Sequence, residues 1–213
     1  MCYARPRSVR SEGALPVGIF ALMVPDGSSA RERLLRATAE LTYAAGIEAT
    51  GVDAIAKQAG VTKRTLYQHF RSKAELVGAA LAASDGAVLA SLRASVERRM
   101  AKGERPVAAL FAVMSRMFGQ PAYRGCAFVN AGLEMRELDH PARAAVRSHT
   151  DGRRDLVAEL VHAEGIDDEA TIEVIVLLVE GAFALSASRR EPAVADRAAA
   201  AAQSVLSAGR NTS

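Results

Sequence analysis

Cysteine is scarce in this chain of 213 residues, which contains only Cys2 and Cys126. One of the two lies near the N-terminus, in a stretch that we expect to be flexible, so a structural disulfide is not expected and the usage fits a reducing cytoplasm. Aromatic residues are few, at 5%, and runs of strand-favouring residues are scarce, whereas alanine is abundant. This composition predicts helices and disfavours sheets.

Common enzyme motifs are missing as well. We find no nucleophile elbow, no glycine-rich phosphate loop and no paired metal motif. On one helix His149 and His162 would point about 220° apart, so they would not share a metal ion, and His140 adds no ligand spacing. The sequence therefore predicts a protein that is not an enzyme, with no catalytic residue, no metal site and no cofactor.

Long hydrophobic runs are absent too, since none reaches the roughly 20 residues that a membrane helix needs. The longest, Ile172 to Ala187, is interrupted by Glu173 and Glu180, so we interpret it as a buried helix and expect no membrane partner. Near the N-terminus, basic residues and an apolar stretch have the outline of a signal peptide, but a proline and a glycine break that stretch. We therefore predict a flexible leader over residues 1–28, with Met23 as a candidate true start.

Caps and helix breakers divide the rest of the chain into predicted helices. In SARE and SKAE a glutamate follows Ser29 and Ser72 by three residues, the pattern of a capping box, and TGVD indicates the same with Thr50 as the cap. Helices are predicted over about residues 29–45, 52–59, 62–70, 72–100, 106–118, 126–138, 141–164, 168–188 and 192–208. The expected fold is all-α, with about nine helices: a three-helix unit over 29–75, a larger helical domain over 76–208, and a tail over 209–213.

Two of the short helices are joined by AGVT, in which Gly60 permits a sharp reversal. This arrangement is typical of the DNA-binding helix-turn-helix. Residues 52–73 carry five basic side chains and one acid, an excess of +4 against +3 for the whole chain. A solvated basic helix in an ordinary bundle is the alternative. The turn, the caps and the segregation of faces together favour contact with nucleic acid.

The second helix of this pair separates its faces. Leu66 and Phe70 share the side that should enter the core. The other positions are Arg64, Thr65 and Gln68 on the opposite face, Tyr67 and His69 flanking it, and Lys63 on the first turn. Arginine can bond guanine twice, glutamine can pair with adenine, and a threonine methyl can touch thymine. The flanking pair can reach phosphates, and Lys73 begins the next helix, where backbone N–H groups favour an anion.

The segment TGVDAIAKQAGVTKRTLYQHFRSKAELVGAAL closely resembles the N-terminal domain of TetR-family transcriptional regulators. The shared patterns are an Ile-Ala pair at 55–56, Ala-Gly-Val-Thr at 59–62, Leu-Tyr-x-His-Phe at 66–70 and Ser-Lys-x-x-Leu at 72–76. The resemblance covers about 47 residues, near 29–75. The remainder resembles the family only in helix count and length, although RGCAFVNAGLEM, residues 124–135, is similar to a segment of one branch.

The resemblance implies roles for individual residues. Phosphate contacts would come from Thr50, Tyr67, His69 and Lys73, and contacts at or near bases from Thr62, Lys63, Arg64 and Gln68, beside the outward Thr65. The Arg64-Thr65 pair departs from the family's common glycine in this region. Whether Arg64 reads a base or holds a phosphate stays open.

The larger domain would pair two copies, because one helix-turn-helix covers only a short half-site of a palindromic double-stranded operator. The helices over 168–188 and 192–208 are the candidates for this homodimer, with small residues at Gly181, Ala182, Ala198 and Ala201. Packing inside a single core is the alternative for either helix.

The family also implies a pocket for an unknown small-molecule inducer. Its candidate lining is Phe111, Met114, Met117, Phe118, Tyr123, Phe128, Met135 and Glu180. Methionine adapts to varied apolar ligands, but the same stripe also fits a plain core. Glu180 faces the pocket, the dimer seam or solvent. For Cys126 we considered a thiol sensor, but Arg124 is its only basic neighbour along the chain, so an inert buried cysteine is expected.

These observations predict a ligand-responsive, DNA-binding transcriptional repressor of a bacterial cytoplasm, associated with the nucleoid. The alternative is an architectural DNA-binding protein that has no inducer and binds many unrelated sites.

Overall fold

The computed structural model describes residues 24, 27–135, 137 and 139–210. Cys2, the candidate start at Met23 and most of the predicted leader lie outside these residues. The described residues form nine α-helices and no strand. The helices are α1 Ala30–Ala45, α2 Val52–Gln58, α3 Lys63–His69, α4 Lys73–Met100, α5 Pro106–Phe118, α6 Ala127–Glu134, α7 Ala142–Ala163, α8 Glu169–Arg189 and α9 Val194–Gly209. The all-α prediction is confirmed, and most helix ends fall within two residues of those expected.

The capping prediction holds fully at one of its three sites and partly at a second. Ser29 and Glu32 form a complete capping box at the start of α1. At the start of α4 only the serine half of the predicted box forms: Ser72 Oγ accepts from the Glu75 N–H at 3.1 Å, whereas the Glu75 side chain accepts from the N–H of Arg71. The prediction for α2 is wrong, because its N-cap is Gly51, which has no side chain to offer.

The turn between α2 and α3 ends α2 with a Schellman motif. The N–H of Gly60 donates to Lys57 O at 3.2 Å, and that of Val61 to Ala56 O at 3.0 Å. Gly60 has a φ of 64°, in the left-handed region where glycine carries no steric cost. The predicted sharp reversal is therefore confirmed.

Helix α6 is shorter than predicted, ending at Glu134 instead of near residue 138. Met135 is extended, and the side chain of Arg143 captures the carbonyls that follow. Its Nη2 donates to Met135 O at 2.8 Å and its Nε to Glu137 O at 2.6 Å. Glu134, in turn, accepts the N–H of Ile47 at 2.6 Å. Hydrogen bonds with Arg143 and Ile47 therefore stand in place of those that a further turn of α6 would form.

The buried apolar residues form two clusters. The first joins α1–α3, the start of α4, α6 and the start of α7, and the second joins the end of α4 with α5, α7, α8 and α9. Leu76 and Val77, just after the predicted boundary at residue 75, lie in the same cluster as Leu34 and Leu66. Helix α4 thus runs through both clusters and connects them.

Two helices, α4 and α8, are long and apolar enough to cross a membrane by length and composition alone. That property is shared by core helices of soluble proteins. In α8, Ile172, Ile175 and Val179 lie in the second cluster, but only 39% of its most apolar window is buried, so the prediction of a buried helix holds for one face only.

Candidate nucleic-acid interface

The inward face of α3 is confirmed. Leu66 is fully buried and Phe70 is 2% exposed, and both belong to the first cluster. On the opposite side Arg64 and Gln68 are exposed, and Tyr67 exposes 48% of its surface. His69 is exposed beside them. The core contacts therefore fix which polar side chains α3 presents to solvent.

Thr62, the N-cap of α3, and Thr65 on its first turn bond each other. Thr62 caps the helix by accepting the N–H of Thr65 at 3.1 Å, and their Oγ1 atoms lie 2.9 Å apart. Thr62 is exposed and Thr65 is half-buried. The prediction that Thr65 stands on the outward face is therefore corrected, because its hydroxyl supports the cap at the edge of that face.

Thr50 is corrected as well. It is 3% exposed, and its Oγ1 donates to Gly46 O at 2.7 Å. Its N–H donates to Ile47 O at 3.2 Å. Both of its donors are therefore used within the loop that precedes α2. In this conformation Thr50 does not offer a hydroxyl to a phosphate.

The lysines at the edges of the surface have protein partners. Lys63 Nζ lies 3.1 Å from Asp53 Oδ1, and both side chains are more than half exposed. Such a solvated pair contributes little stability and exchanges readily for another anion. Lys73, half-buried at the start of α4, points its Nζ to Glu48 O at 3.5 Å. The structure thus places Lys63, Arg64, Tyr67, Gln68 and His69 together around α3, with Lys73 at the adjoining helix start.

This unit matches known regulators. Residues 34–80 match the tetR family of bacterial regulatory proteins. The crystal structure of SCO4454, a TetR-family transcriptional regulator from Streptomyces coelicolor, is 31% identical, with a TM-score of 0.69 over 84% of this chain and 89% of that chain. This chain belongs to the TetR family. It is accordingly a DNA-binding transcriptional regulator.

Two further relatives of this TetR-family protein extend the comparison. A TetR-type regulator from Streptomyces avermitilis superposes with a TM-score of 0.73 and 26% identity, over 86% of this chain and 99% of that chain. The transcriptional regulator AcuR from Cereibacter sphaeroides is 32% identical over 147 residues. That match covers 67% of this chain and 61% of AcuR, so the chain spans less than two thirds of this curated relative.

Six of the pocket residues predicted for this TetR-family chain are divided between the two hydrophobic clusters. Helix α5 buries four of them in the second cluster: Phe111, Met114, Met117 and Phe118. Phe128 and Met135 are buried in the first cluster. Met135 lines a cavity of about 510 Å³ together with Ile47, Glu48, Leu133, Glu134, Glu137 and His140. The stripe is buried, as the core interpretation expects, and its role in lining a ligand pocket stays a prediction.

Tyr123 and Glu180 have specific partners. The Tyr123 hydroxyl lies 3.1 Å from Ser186 Oγ, and burial raises the pKa of this phenol. Glu180 accepts two hydrogen bonds from Arg153, each of 2.6 Å. Arg153 is 1% exposed, and its guanidinium lies 4.5 Å from the ring centre of Phe183. Glu180 thus holds a buried cation, which none of the three predicted roles included.

The environment of Cys126 also differs from the prediction. Arg153 and His149, distant in sequence, both approach its sulfur. Burial alone would raise the pKa of the Cys126 thiol, but Arg153, and then His149, lower it to about 6. The sequence offered one weak signal: His149 and Arg153 are four residues apart and therefore share one face of α7.

Proposed function

We propose that this TetR-family chain is a homodimeric repressor that binds a palindromic operator in the bacterial cytoplasm and leaves it when a small molecule reacts or binds. The observation that carries DNA recognition is the exposed Arg64 and Gln68, flanked by Tyr67 and His69 on a helix fixed by Leu66 and Phe70. Arginine and glutamine suit base edges, and the flanking side chains suit phosphates.

Dimer formation is supported by the outer face of α8. Val174, Leu177 and Leu185 expose 40%, 68% and 40% of their surface. With the half-buried Gly181 they follow helical spacing, so they form one stripe along α8. Exposed apolar stripes of this kind favour a protein partner. A second copy would align two recognition helices with half-sites about 34–36 Å apart.

Two of the small residues predicted for the seam lie elsewhere. Ala182 and Ala198 are buried in the second cluster of their own chain, whereas Ala201 on α9 is exposed. We therefore assign the proposed seam to the outer stripe of α8, with the exposed face of α9 beside it.

Release by a ligand is supported by hydrogen bonds between the DNA-binding unit and the larger domain. The hydroxyl of Tyr43, on α1, accepts the N–H of Arg124 at 2.9 Å and donates to Gly125 O at 3.2 Å. Four residues after Tyr43, Ile47 donates its N–H to Glu134 at the end of α6. A displacement of α6 would therefore be transmitted to α1 through these hydrogen bonds.

Selection of bound DNA from a random pool tests the proposal. We expect enrichment of one palindrome, protection of both half-sites by one dimer, and loss of binding with particular small molecules.

The Leu66→Ala variant, which removes a core contact of α3, is a poor control because it disturbs folding. The matched pair Gln68→Ala and Gln58→Ala is better, since both glutamines are exposed and only Gln68 lies on α3. Binding to many unrelated sequences without release would support the architectural alternative.

A further inference from the structure

Four polar side chains converge on Cys126 or on its partners. His149 Nε2 lies 3.8 Å from Cys126 Sγ, and His149 Nδ1 lies 2.8 Å from Asp85 Oδ1. Arg153 Nη1 donates to Cys126 Sγ at 3.5 Å and to His149 Nε2 at 3.1 Å. Glu180 holds the other edge of the guanidinium. A thiol, a guanidinium and an imidazole oriented by a carboxylate are therefore assembled in one place.

The hydrogen bonds define how the imidazole works. Because Arg153 donates to Nε2, the guanidinium occupies the Nε2 lone pair, and the other ring nitrogen, Nδ1, faces Asp85. The ring also stacks on Phe128, with centres 3.7 Å apart and planes within 4°. Ring stacking and the carboxylate together hold Nε2 towards the sulfur.

The charged and titratable groups that surround the sulfur come from several elements. Arg153 and His149 reach it from α7, with Glu180 behind the arginine and Asp85 behind the histidine. The phenols of Tyr43 and Tyr123 are near as well, and burial raises the pKa of both, so they stay neutral near pH 7. Of these charged groups the Arg153 guanidinium lies next to the sulfur, whereas both carboxylates lie behind Arg153 or His149, and this order favours a thiolate. Cys126 is half-buried as a residue and its thiol is enclosed by these groups, so a reagent must be small enough to enter between them.

Cys126 sits where its modification would matter. It packs against both hydrophobic clusters. It directly follows Gly125 and Arg124, whose backbone groups bond Tyr43 of α1. Added volume in a packed region displaces its neighbours because interiors yield little. An adduct on Cys126 would therefore press on the contact between α1 and the larger domain.

We propose that Cys126 is a nucleophilic thiolate that adds to small α,β-unsaturated carbonyl compounds, and that the adduct releases the protein from DNA. The second half of this inference rests on the proposed function and names its ligand class.

The addition is balanced without an oxidant. The thiol proton passes to solvent, and the sulfur attacks the β-carbon. A sulfur–carbon bond forms while the carbon–carbon π bond breaks, and the electron pair moves to the carbonyl oxygen as an enolate. The α-carbon then takes a proton from solvent. The product is a thioether, and nothing leaves.

The nucleophile is tested with methyl vinyl ketone on the full chain carrying Cys2→Ser, so that Cys126 is the sole thiol. Adduct formation is followed by intact mass from pH 5 to 10. We expect a half-maximal rate near pH 6, and a higher midpoint in His149→Gln. The rate at pH 7 is a weaker signature, because a lower thiol pKa also lowers nucleophilicity. A midpoint near 9, or no adduct on the folded protein, overturns the proposal.

Release is tested by fluorescence anisotropy on the selected palindrome. We expect the adduct to weaken binding at least about tenfold, a typical size for coupling between two sites. Cys126→Ser should bind the palindrome and ignore the reagent. If Cys126 is modified but binding is unchanged, the coupling is wrong. If the unmodified protein binds no DNA, the proposed function fails separately, and hydrogen exchange in α1 decides whether the adduct disturbs the contact through Tyr43.

Discussion

Arg64 shows how one side chain can have two roles that a DNA experiment separates. It is exposed on the outward face of α3, beside Gln68. If it bonds guanine, Arg64→Ala should cost about 1–3 kcal/mol of binding free energy at one base pair and relax specificity there. We expect this result from binding measured on a panel of single-base operator variants. Lys57→Ala is the control for the loss of a positive charge, since Lys57 is exposed on α2 and does not lie on α3. An equal loss on every variant would instead assign Arg64 to a phosphate.

Cys126 gives the folded protein a pH dependence whose sign follows from its environment. Its thiol pKa is about 6 when folded, below the ordinary value of 9.0. Between these two values the unfolded chain binds more protons than the folded chain, so the thiolate contributes stability that grows as pH rises and is lost as pH falls through about 6.

This dependence is measured by comparing urea unfolding of the Cys2→Ser protein and its Cys126→Ser derivative from pH 5 to 9. The difference in free energy of unfolding should increase with pH, because serine does not titrate in this range. A difference that stays constant across the series would mean that the folded state does not favour the thiolate.

At the scale of elements, sequence patterns predicted the helices well and their tertiary partners poorly. Caps, turn glycines and the 3.6-residue period are local, so α1, α3 and α4 begin where expected. The early end of α6 depends on Arg143, which reaches back from α7. The outward positions of Arg64 and Gln68 on α3 were likewise predictable from spacing, whereas the half-buried Thr65 was not. That Thr50 is buried depends on how its loop folds, and no spacing rule shows it.

The same contrast explains the chemistry around Cys126. Arg153 and Glu180 are separated by 27 residues and meet only because α7 packs beside α8. A buried arginine also runs against the usual preference of this residue for the surface. Sequence reasoning therefore placed Glu180 correctly on an apolar helix without finding the cation that it binds.

The turn that leads into α6 is held by a close approach that can be tested. Gly125 has a φ of 97°, and a Cβ built there would lie 2.8 Å from Ala187 Cβ. Gly125→Ala therefore combines backbone strain with a clash, and we expect a loss of about 2–4 kcal/mol in free energy of unfolding. Gly165→Ala is the matched control, because its φ is 81° but nothing lies within 4 Å of its Cβ. Denaturant unfolding should show a clearly smaller loss for Gly165→Ala, and equal losses would contradict the close packing of this turn.

On the scale of the whole molecule, the first hydrophobic cluster supports α3, and the second supports α8 with its exposed stripe. Helix α4 passes through both clusters, and the Tyr43 hydroxyl of α1 bonds the loop before Cys126. Pairing of two chains through α8 would therefore fix the distance between their two α3 helices. A shift at the junction between the clusters would change that separation without any contact with DNA.

The stripe on α8 provides the last test, because the proposed dimer and operator binding should fail together. Leu177 is 68% exposed, so Leu177→Glu removes no core contact but would bury a charge in each half of the seam. We expect a monomer by sedimentation at micromolar concentration, unchanged thermal unfolding of the isolated chain at low concentration, and a large loss of palindrome binding. Ala90→Glu on α4 is the control, since that position is also exposed and lies off the stripe. A Leu177→Glu protein that remained dimeric would move the interface to another face. A monomeric variant that bound the palindrome with full affinity would show that each DNA-binding unit recognises its half-site without a partner.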